Sequence, residues 1–367
     1  MLLQASQRRL MRGDVAPSPA SRAARVAEAA RALGFDAVGI ARADVPLDAD
    51  FARYEAFVED GKHASMSWLA SLPEARRRLD GEHVLPGAKS VVCLARRYPS
   101  DEGEGLARHI ARYARGRDYH NGVRKKLRKL AKVLRAMGTD DAPVAARPLC
   151  DEEPILERAW AARAGLGFVG KNGMLIVPGV GSFVLLGEVV TTAELEPGAP
   201  MRERCGSCVR CLDACPTGAF EAPFVLDPRK CVAYLTIEHR GAVEPALREG
   251  VGEHLFGCDD CQTVCPFNAG ARAPLPAGDP MQPHARWSDE TLASIATLDH
   301  AAFLRLREGS PVGRATREGL ARNAALVLGN RADPSSRGAL ERAAADDASE
   351  VVRDAASWAL RRLDAIR

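Results

Sequence analysis

Apolar positions in the first half of the chain come in short runs separated by polar or glycine-rich breaks. Ala23–Leu33 has helical composition, Phe35–Ala41 (Phe-Asp-Ala-Val-Gly-Ile-Ala) reads as a strand, and Ser90–Leu94 as a second short strand. Val123, Leu127, Leu130 and Leu134 recur at a four-three-four spacing, which places one apolar face on a helix over Arg124–Arg135. Glu157–Ala164 predicts a further helix, stopped by Gly165 and Gly167. Met174–Val177 and Phe183–Val190 are expected to pair across the turn Pro178-Gly179-Val180-Gly181. Strands and helices are mixed, so the class is α+β.

The remaining pattern sets the organisation. Residues before about Ser21 mix Gly, Pro, Ser and Arg without periodicity and read as a flexible extension over 1–20. The five arginines of the first 25 residues have no apolar block beside them, so no signal peptide is expected. The most apolar stretch, Met174–Val190, is broken by one proline and three glycines and falls short of the about 20 residues a membrane helix needs. A cytoplasmic monomer with no membrane partner is the expectation. Ala269–Pro283 is rich in Pro and Gly and reads as a linker. Beyond it the chain is Ala- and Arg-rich helix with a weak repeat, Arg322–Leu328 matching Arg353–Leu360. The units expected are 21–196, 197–272 and 284–367.

Composition adds two facts. With 46% hydrophobic and 27% charged residues the chain is an ordinary globular one, and its formal charge of +3 does not by itself favour a polyanion. Ten cysteines are unusual, and in a reducing compartment they point to metal ligation or free thiols over disulfides. Cys205, Cys208, Cys211 and Cys215 form C-x2-C-x2-C-x3-C followed by Pro216, the bacterial ferredoxin run. Cys258, Cys261 and Cys265 repeat its tail before Pro266, and Cys231 lies between. Because the fourth cysteine of such a run serves the other cluster, the assignment is crossed. One 4Fe–4S cluster takes Cys205, Cys208, Cys211 and Cys265, and the other takes Cys215, Cys231, Cys258 and Cys261. Structural zinc is the competing reading, disfavoured because zinc does not need this run twice. Cys93 and Cys150 are left over and read as structural.

Charge is also unevenly placed. Arg108–Arg135 holds eleven Lys and Arg side chains and one acid, Asp118, a local excess of ten positive charges. Two readings stand, a solvated helix face or a polyanion site. Tyr113 and Tyr119 interleave with the charges, as suits a stacked ring or base. Asp151-Glu152-Glu153-Pro154 precedes the Glu157 helix, so Asp151 is a helix cap or a catalytic acid on residue chemistry alone. Gly165, Gly167 and Gly170 let the backbone pass close to a flat or bulky group, and Lys171 is a plausible anion or amide contact.

These segments together resemble one family. Asp151 through Pro154-Ile-Leu-Glu-Arg158, Ala164-Gly-Leu-Gly-Phe-Val-Gly-Lys171-Asn172, Arg112-Tyr-Ala-Arg-Gly-Arg-Asp-Tyr-His120, Tyr234-Leu-Thr-Ile-Glu-His-Arg-Gly241, the eight cysteines and Gly319-Leu-Ala-Arg-Asn323 are similar to epoxyqueuosine reductases, from about Ala23 to Leu363. The resemblance implies an oxidoreductase that reduces epoxyqueuosine to queuosine at the tRNA wobble position, using cobalamin and two 4Fe–4S clusters. It implies a cobalamin-binding α/β domain like that of reductive dehalogenases, a ferredoxin-like unit, and C-terminal HEAT-like helices that help hold tRNA. It places Asp151 on the proton donor, with Glu152 and Glu153 expected to raise its pKa by repulsion. It puts Tyr113, Arg158, Lys171, Asn172 and Leu175 around the corrin, Asp259 beside the second cluster, and His239 and Arg240 on tRNA. Asp118-x-His120 lacks the spacing of a D-x-H-x-x-G motif, in keeping with a family whose cobalt carries no histidine. One departure is His63-Ala-Ser-Met-Ser-Trp68, where the family often has His-Gly-x-Met-x-Tyr.

An external flavodoxin- or ferredoxin-type reductant is the expected electron source. The alternatives are a corrinoid reductive dehalogenase, or related cobalamin reductase, and a ferredoxin-like electron carrier. The local positive charge and the helical C-terminus weigh against the first, and the placed acid and glycine turns against the second.

Overall fold

The structure, a computed structural model, describes residues 17–151, 153–270 and 274–365. The first part builds one antiparallel sheet. Helix α1 (Pro19–Ala32) starts at Ser18, whose hydroxyl accepts the Ser21 N–H, so the helix begins earlier than its composition indicates. The rest of the predicted extension lies outside the described residues. Strands β1 (Ala37–Arg42) and β2 (Ser90–Arg97) follow. Helix α2 (Tyr119–Arg135), strand β3 (Ala146–Leu149) and helix α3 (Glu157–Arg163) complete the next stretch. After the short strands β4 (Phe168–Val169) and β5 (Leu175–Ile176) comes β6 (Val184–Thr191), and the sheet order is β1-β2-β6-β3.

One strand pairing differs from expectation. Residues 175–176 pair with β4, not with β6, and only the isolated bridge Val177–Gly181 spans the predicted turn. β6 is needed elsewhere: buried between β2 and β3, it completes both ladders. The β4–β5 pairing also needs Gly167, because a side chain there would meet the Ile176 carbonyl oxygen at 2.3 Å. The stripe on α2 behaves as predicted. Val123, Leu127, Leu130 and Leu134 are all buried and pack with Val26, Ala30, Val92 and Val189. Cys93 and Cys150 are buried in the sheet cores, as expected of structural cysteines.

The second part is largely loops around short helices, α4 (Arg210–Asp213), α5 (Val232–Ile237) and α6 (Asp260–Thr263). Where it is described, the segment expected to be a linker is docked on the sheet unit. Leu275 and Met281 are buried there, Arg117 N–H donates to Pro280 O at 2.8 Å, and Arg96 pairs with Asp279. The last part is helical: α7 (Thr316–Arg331), α8 (Arg337–Asp346) and α9 (Glu350–Ala365) pack together. No described helix is long and apolar enough to cross a membrane.

Helix α7 is buried along most of its length, Arg322 and Asn323 included. Arg322 donates to the carbonyls of Leu235, His239 and Gly241, and Asn323 Nδ2 donates to those of Thr236 and Leu255 at 2.8 and 2.9 Å. These two side chains stitch the helical part to the cysteine-bearing part. Replacing Asn323→Leu leaves two buried carbonyls without donors, so it should cost about 2–4 kcal/mol, read as a lower midpoint in denaturant unfolding.

Candidate functional site

The end of β3 delivers Asp151 into the site. Its backbone is left-handed, at φ +59°, a conformation aspartate tolerates better than most residues. Its N–H donates to Glu157 Oε1 at 3.0 Å. Its carboxylate meets the first turn of α2, where Tyr119 OH donates to Oδ2 at 2.6 Å and His120 Nε2 lies 3.2 Å away. On its other side the His120 ring is held by Asp118, with Nδ1 2.7 Å from Oδ1. Asp118 is also the N-cap of α2, so one residue starts the helix and orients the imidazole.

The electrostatics follow from this chain of acid, imidazole and acid. Hydrogen bonds first to Asp118 and then to Asp151 push His120 up to about 9. The same His120 contact holds Asp151 below the usual carboxylate range, against the desolvation that would raise it. This corrects the expectation that neighbouring acids raise Asp151: Glu153 is paired with Arg147 at 2.9 Å, and Glu152 lies outside the described residues. At neutral pH the proton therefore sits on the His120–Asp151 pair, chiefly on the imidazole. Sequence reasoning missed His120 as the partner; the signal was the Asp118-Tyr119-His120 run.

Behind Asp151 lies a second acidic layer that the sequence did not reveal. Glu188, on β6 opposite both Cys93 and Leu149, is wholly buried, and neither carboxyl oxygen has a hydrogen-bonding partner of good geometry. Burial and the adjacent Glu157 push it well up, and Glu157 is itself pushed up to about 7 by burial and by Asp151. Glu188 is thus carried as a neutral acid beneath the residue that anchors the Asp151 backbone.

Asp151 keeps 53% of its side-chain surface accessible although protein crowds it closely enough to desolvate it. Arg158 shows the same combination, and its guanidinium donates to the Gly173 carbonyl. Side chains both crowded and accessible mark Asp151 and Arg158 as the edge of a candidate recess. Tyr113 stands beside it, edge-on to Tyr119 with ring centroids 6.0 Å apart. An aromatic, an arginine and an acid of this kind suit a large ring system with polar arms, as cobalamin has.

The other expected corrin residues also have partners within the protein. Lys171 Nζ donates to the carbonyls of Gly206 and Cys208 at 2.6 and 3.1 Å, and Asn172 Nδ2 to that of Cys261 at 3.1 Å. Both serve the cysteine loops. Leu175 spends its side chain in the core beside Trp160 and Val177. Asp259, on the N-terminal side of α6, accepts the Arg112 N–H at 2.8 Å and its guanidinium at 3.2 Å.

Folding brings the cysteines into one neighbourhood, and Cys261 lies within charge range of Cys211 as well as of Cys231 and Cys215. Cys205, Cys208, Cys211 and Cys265 line one cavity of about 210 Å³ with Lys171, Asn172, Arg204 and Phe267. Cys215, Cys231, Cys258 and Cys261 lie near enough for their charges to act on one another. Burial raises the Cys205 thiol to about 11 and the Cys261 thiol to about 12, so thiolates here need a compensating positive centre. Iron supplies one, and the four thiols that share the cavity match a cubane's four-thiolate demand. His254, unnoticed in the sequence, lies 3.7 Å from Cys258 Sγ and 3.0 Å from Asp260 Oδ2.

The basic run is thinner than its charge count. Arg115 is 2% exposed and donates to the Ile110 and Asp101 carbonyls, and Arg112 is bound to Asp259. Lys125, Arg128, Lys129 and Lys132 remain exposed on α2. His239 Nε2 is 3.0 Å from the Ala242 carbonyl, and the exposed Arg240 donates to the Ile237 and Arg314 carbonyls at 2.7 and 2.8 Å.

The crossed sets make a separable prediction. Anaerobically loaded protein should hold about eight irons per chain, and Cys211→Ser or Cys231→Ser should each lower this to about four by disabling a different cubane. Metal analysis giving zinc, or about four irons in the unsubstituted chain, contradicts it.

Comparison with known proteins bears on both halves of the site. A family model described as a 4Fe–4S double cluster binding domain matches residues 204–268, and one described as epoxyqueuosine reductase QueG, DUF1730, matches residues 78–151. The chain is 44% identical over 321 residues to the epoxyqueuosine reductase of Gloeobacter violaceus, covering 85% of this chain and 97% of that one. It is 40% identical over 356 residues to that of Pseudomonas aeruginosa, covering 94% and 96%. Among solved structures, a selenomethionine-labelled epoxyqueuosine reductase superposes with a TM-score of 0.84 at 31% identity, covering 93% of this chain and 90% of that one. An epoxyqueuosine reductase with an epoxyqueuosine-modified tRNA-Tyr stem loop does so with a TM-score of 0.82 at 31% identity, covering 93% and 89%. The acid at the end of β3, the paired cysteine sets and this extent of likeness agree: the chain belongs to the epoxyqueuosine reductase family.

Proposed function

We propose that this chain reduces the epoxide of epoxyqueuosine in tRNA to the alkene of queuosine, with Asp151 at the reacting oxygen. The observation that carries the reading is the Asp151–His120–Asp118 chain at the wall of the recess. Deoxygenating an epoxide consumes two electrons and two protons and releases water. Cobalamin, when bound in the recess, supplies the reducing electrons at the epoxide carbon, replenished singly from the two clusters. Everything else falls to side chains. Tyr119 and the Glu157 contact fix the direction of the Asp151 carboxyl. His120 stores the proton, and Asp151 passes it to the oxygen as that oxygen gains charge. Tyr119 itself is pushed far above the ordinary phenol value by burial and by Asp151, so it stays a donor.

The exposed lysines and arginines of α2, with His239 and Arg240, provide the charge for an RNA backbone. Units of 21–196 for the cofactor and acid, 197–272 for the clusters and 284–367 for HEAT-like helices against RNA fit this division of labour. The electron source would be a flavodoxin- or ferredoxin-type protein.

Two outcomes test the reading. In cells lacking the endogenous protein, the unsubstituted chain should convert epoxyqueuosine to queuosine in digested tRNA, whereas Asp151→Asn should leave epoxyqueuosine with iron content unchanged. Retained conversion in that variant removes Asp151 from the proton path. The second outcome is a pH profile. Because His120 is raised from 6.5 to about 9, its charged form persists through neutrality and is lost only as pH climbs through about 9. Turnover should hold to that point and then fall, and His120→Gln should lower turnover and remove that limb. The stabilisation from this histidine has the same sign, complete below its unfolded value and lost as pH rises through about 9.

A further inference from the structure

Trp68 is 45% exposed, unlike the buried Trp160 and Trp287. An indole left in water on a rigid support asks for a ligand. The support is rigid: the Trp68 carbonyl accepts from the Arg76 guanidinium at 2.8 Å and the Ser71 hydroxyl at 2.7 Å, and Arg76 is buried. Upstream in the same loop, Ser65 Oγ is 2.9 Å from Tyr234 OH, and Met66 packs on the core of the helical part.

A cation is already set against the ring. Arg314 Cζ lies 4.9 Å from the indole centroid. Its guanidinium is oriented by Glu238 at 2.8 Å, and its carbonyl accepts from Arg240. Arg314 lies within charge range of both Asp151 and Tyr113. Three segments distant in sequence therefore gather an exposed indole and two arginines, with Arg314 within charge range of Asp151. An aromatic face flanked by guanidinium groups suits a nucleobase, whose π-face stacks and whose phosphate the cations attract. An apolar protein partner would meet charge here instead of a continuous apolar surface.

We propose that Trp68 and Arg314 form a stacking site for an unpaired base adjoining the reacting nucleotide, with Arg240 facing its phosphate. The inference rests on the RNA-substrate reading above and adds to it the residue that holds a neighbouring base while Asp151 works on the epoxide.

The test uses the cluster- and cobalamin-loaded protein and a labelled tRNA anticodon stem loop carrying the modified nucleoside, with binding read by fluorescence anisotropy. Trp68→Ala should weaken binding about tenfold, and Trp68→Phe, which keeps a π-face, should stay within about threefold. Iron content and the cobalamin absorbance spectrum should not change in either. The stem loop should also quench intrinsic tryptophan fluorescence in the unsubstituted protein and lose that quench in Trp68→Phe. Unchanged stem-loop binding by Trp68→Ala, or a persisting quench in Trp68→Phe, overturns the stacking site alone. Loss of cobalamin in the alanine variant reassigns the indole to the cofactor and also overturns it. Failure of the unsubstituted protein to bind any stem loop overturns the RNA reading itself.

Discussion

Loops that bring four thiols to one point cannot be regular helix or strand, so their backbone carbonyls must find donors elsewhere. Much of this molecule follows from that constraint. Lys171 and Asn172 leave the β4–β5 hairpin to satisfy the carbonyls of Gly206, Cys208 and Cys261. Arg322 and Asn323, from a helix more than fifty residues beyond the last cysteine, satisfy five more between Leu235 and Leu255. Arg112 and Asp259 close the third side. The cysteine-bearing part is thus held by side chains lent from both neighbours, and the three parts cohere through these bonds as well as through shared apolar core.

The same side chains set the active site. Arg322 fixes the carbonyls of His239 and Gly241, and so shapes the turn that presents Arg240, which in turn holds Arg314 beside Trp68 and near Asp151. On the opposite wall, the sheet positions a neutral acid, Glu188, under Glu157, and Glu157 holds Asp151 by its backbone. The orientation of Asp151 is set by its N–H and by Tyr119, and this leaves its Oδ2 beside His120. A carboxylate with a lowered pKa would be a poor acid alone. Beside a histidine raised to about 9 the geometry suits the relay proposed above.

The cysteine assignment was legible because thiolate spacing is a local demand of the cubane: three ligands fit one tight loop and the fourth must come from elsewhere. The α2 stripe was legible because a helix repeats its own face within a dozen residues. Strand pairing was not. Residues 175–176 have the same apolar character whether they join β4 or β6, and the choice turns on the close approach at Gly167 and on β6 already being flanked by β2 and β3. The charge count over Arg108–Arg135 also overstated its surface, since Arg112 and Arg115 carry charge inward to acids and carbonyls.

By itself, then, the sequence determined the cysteine spacing, the amphipathic helix and the family, and marked out Asp151 as the candidate acid. Each is written in residue types at short spacing, or in motifs whose chemistry leaves few alternatives. The tertiary structure alone decided that His120 meets Asp151, that Glu188 is buried without a hydrogen-bonding partner of good geometry, and that Trp68 faces Arg314. Protonation and stacking depend on distances of about 3 to 5 Å between side chains far apart in the chain, and on burial, which no local pattern encodes.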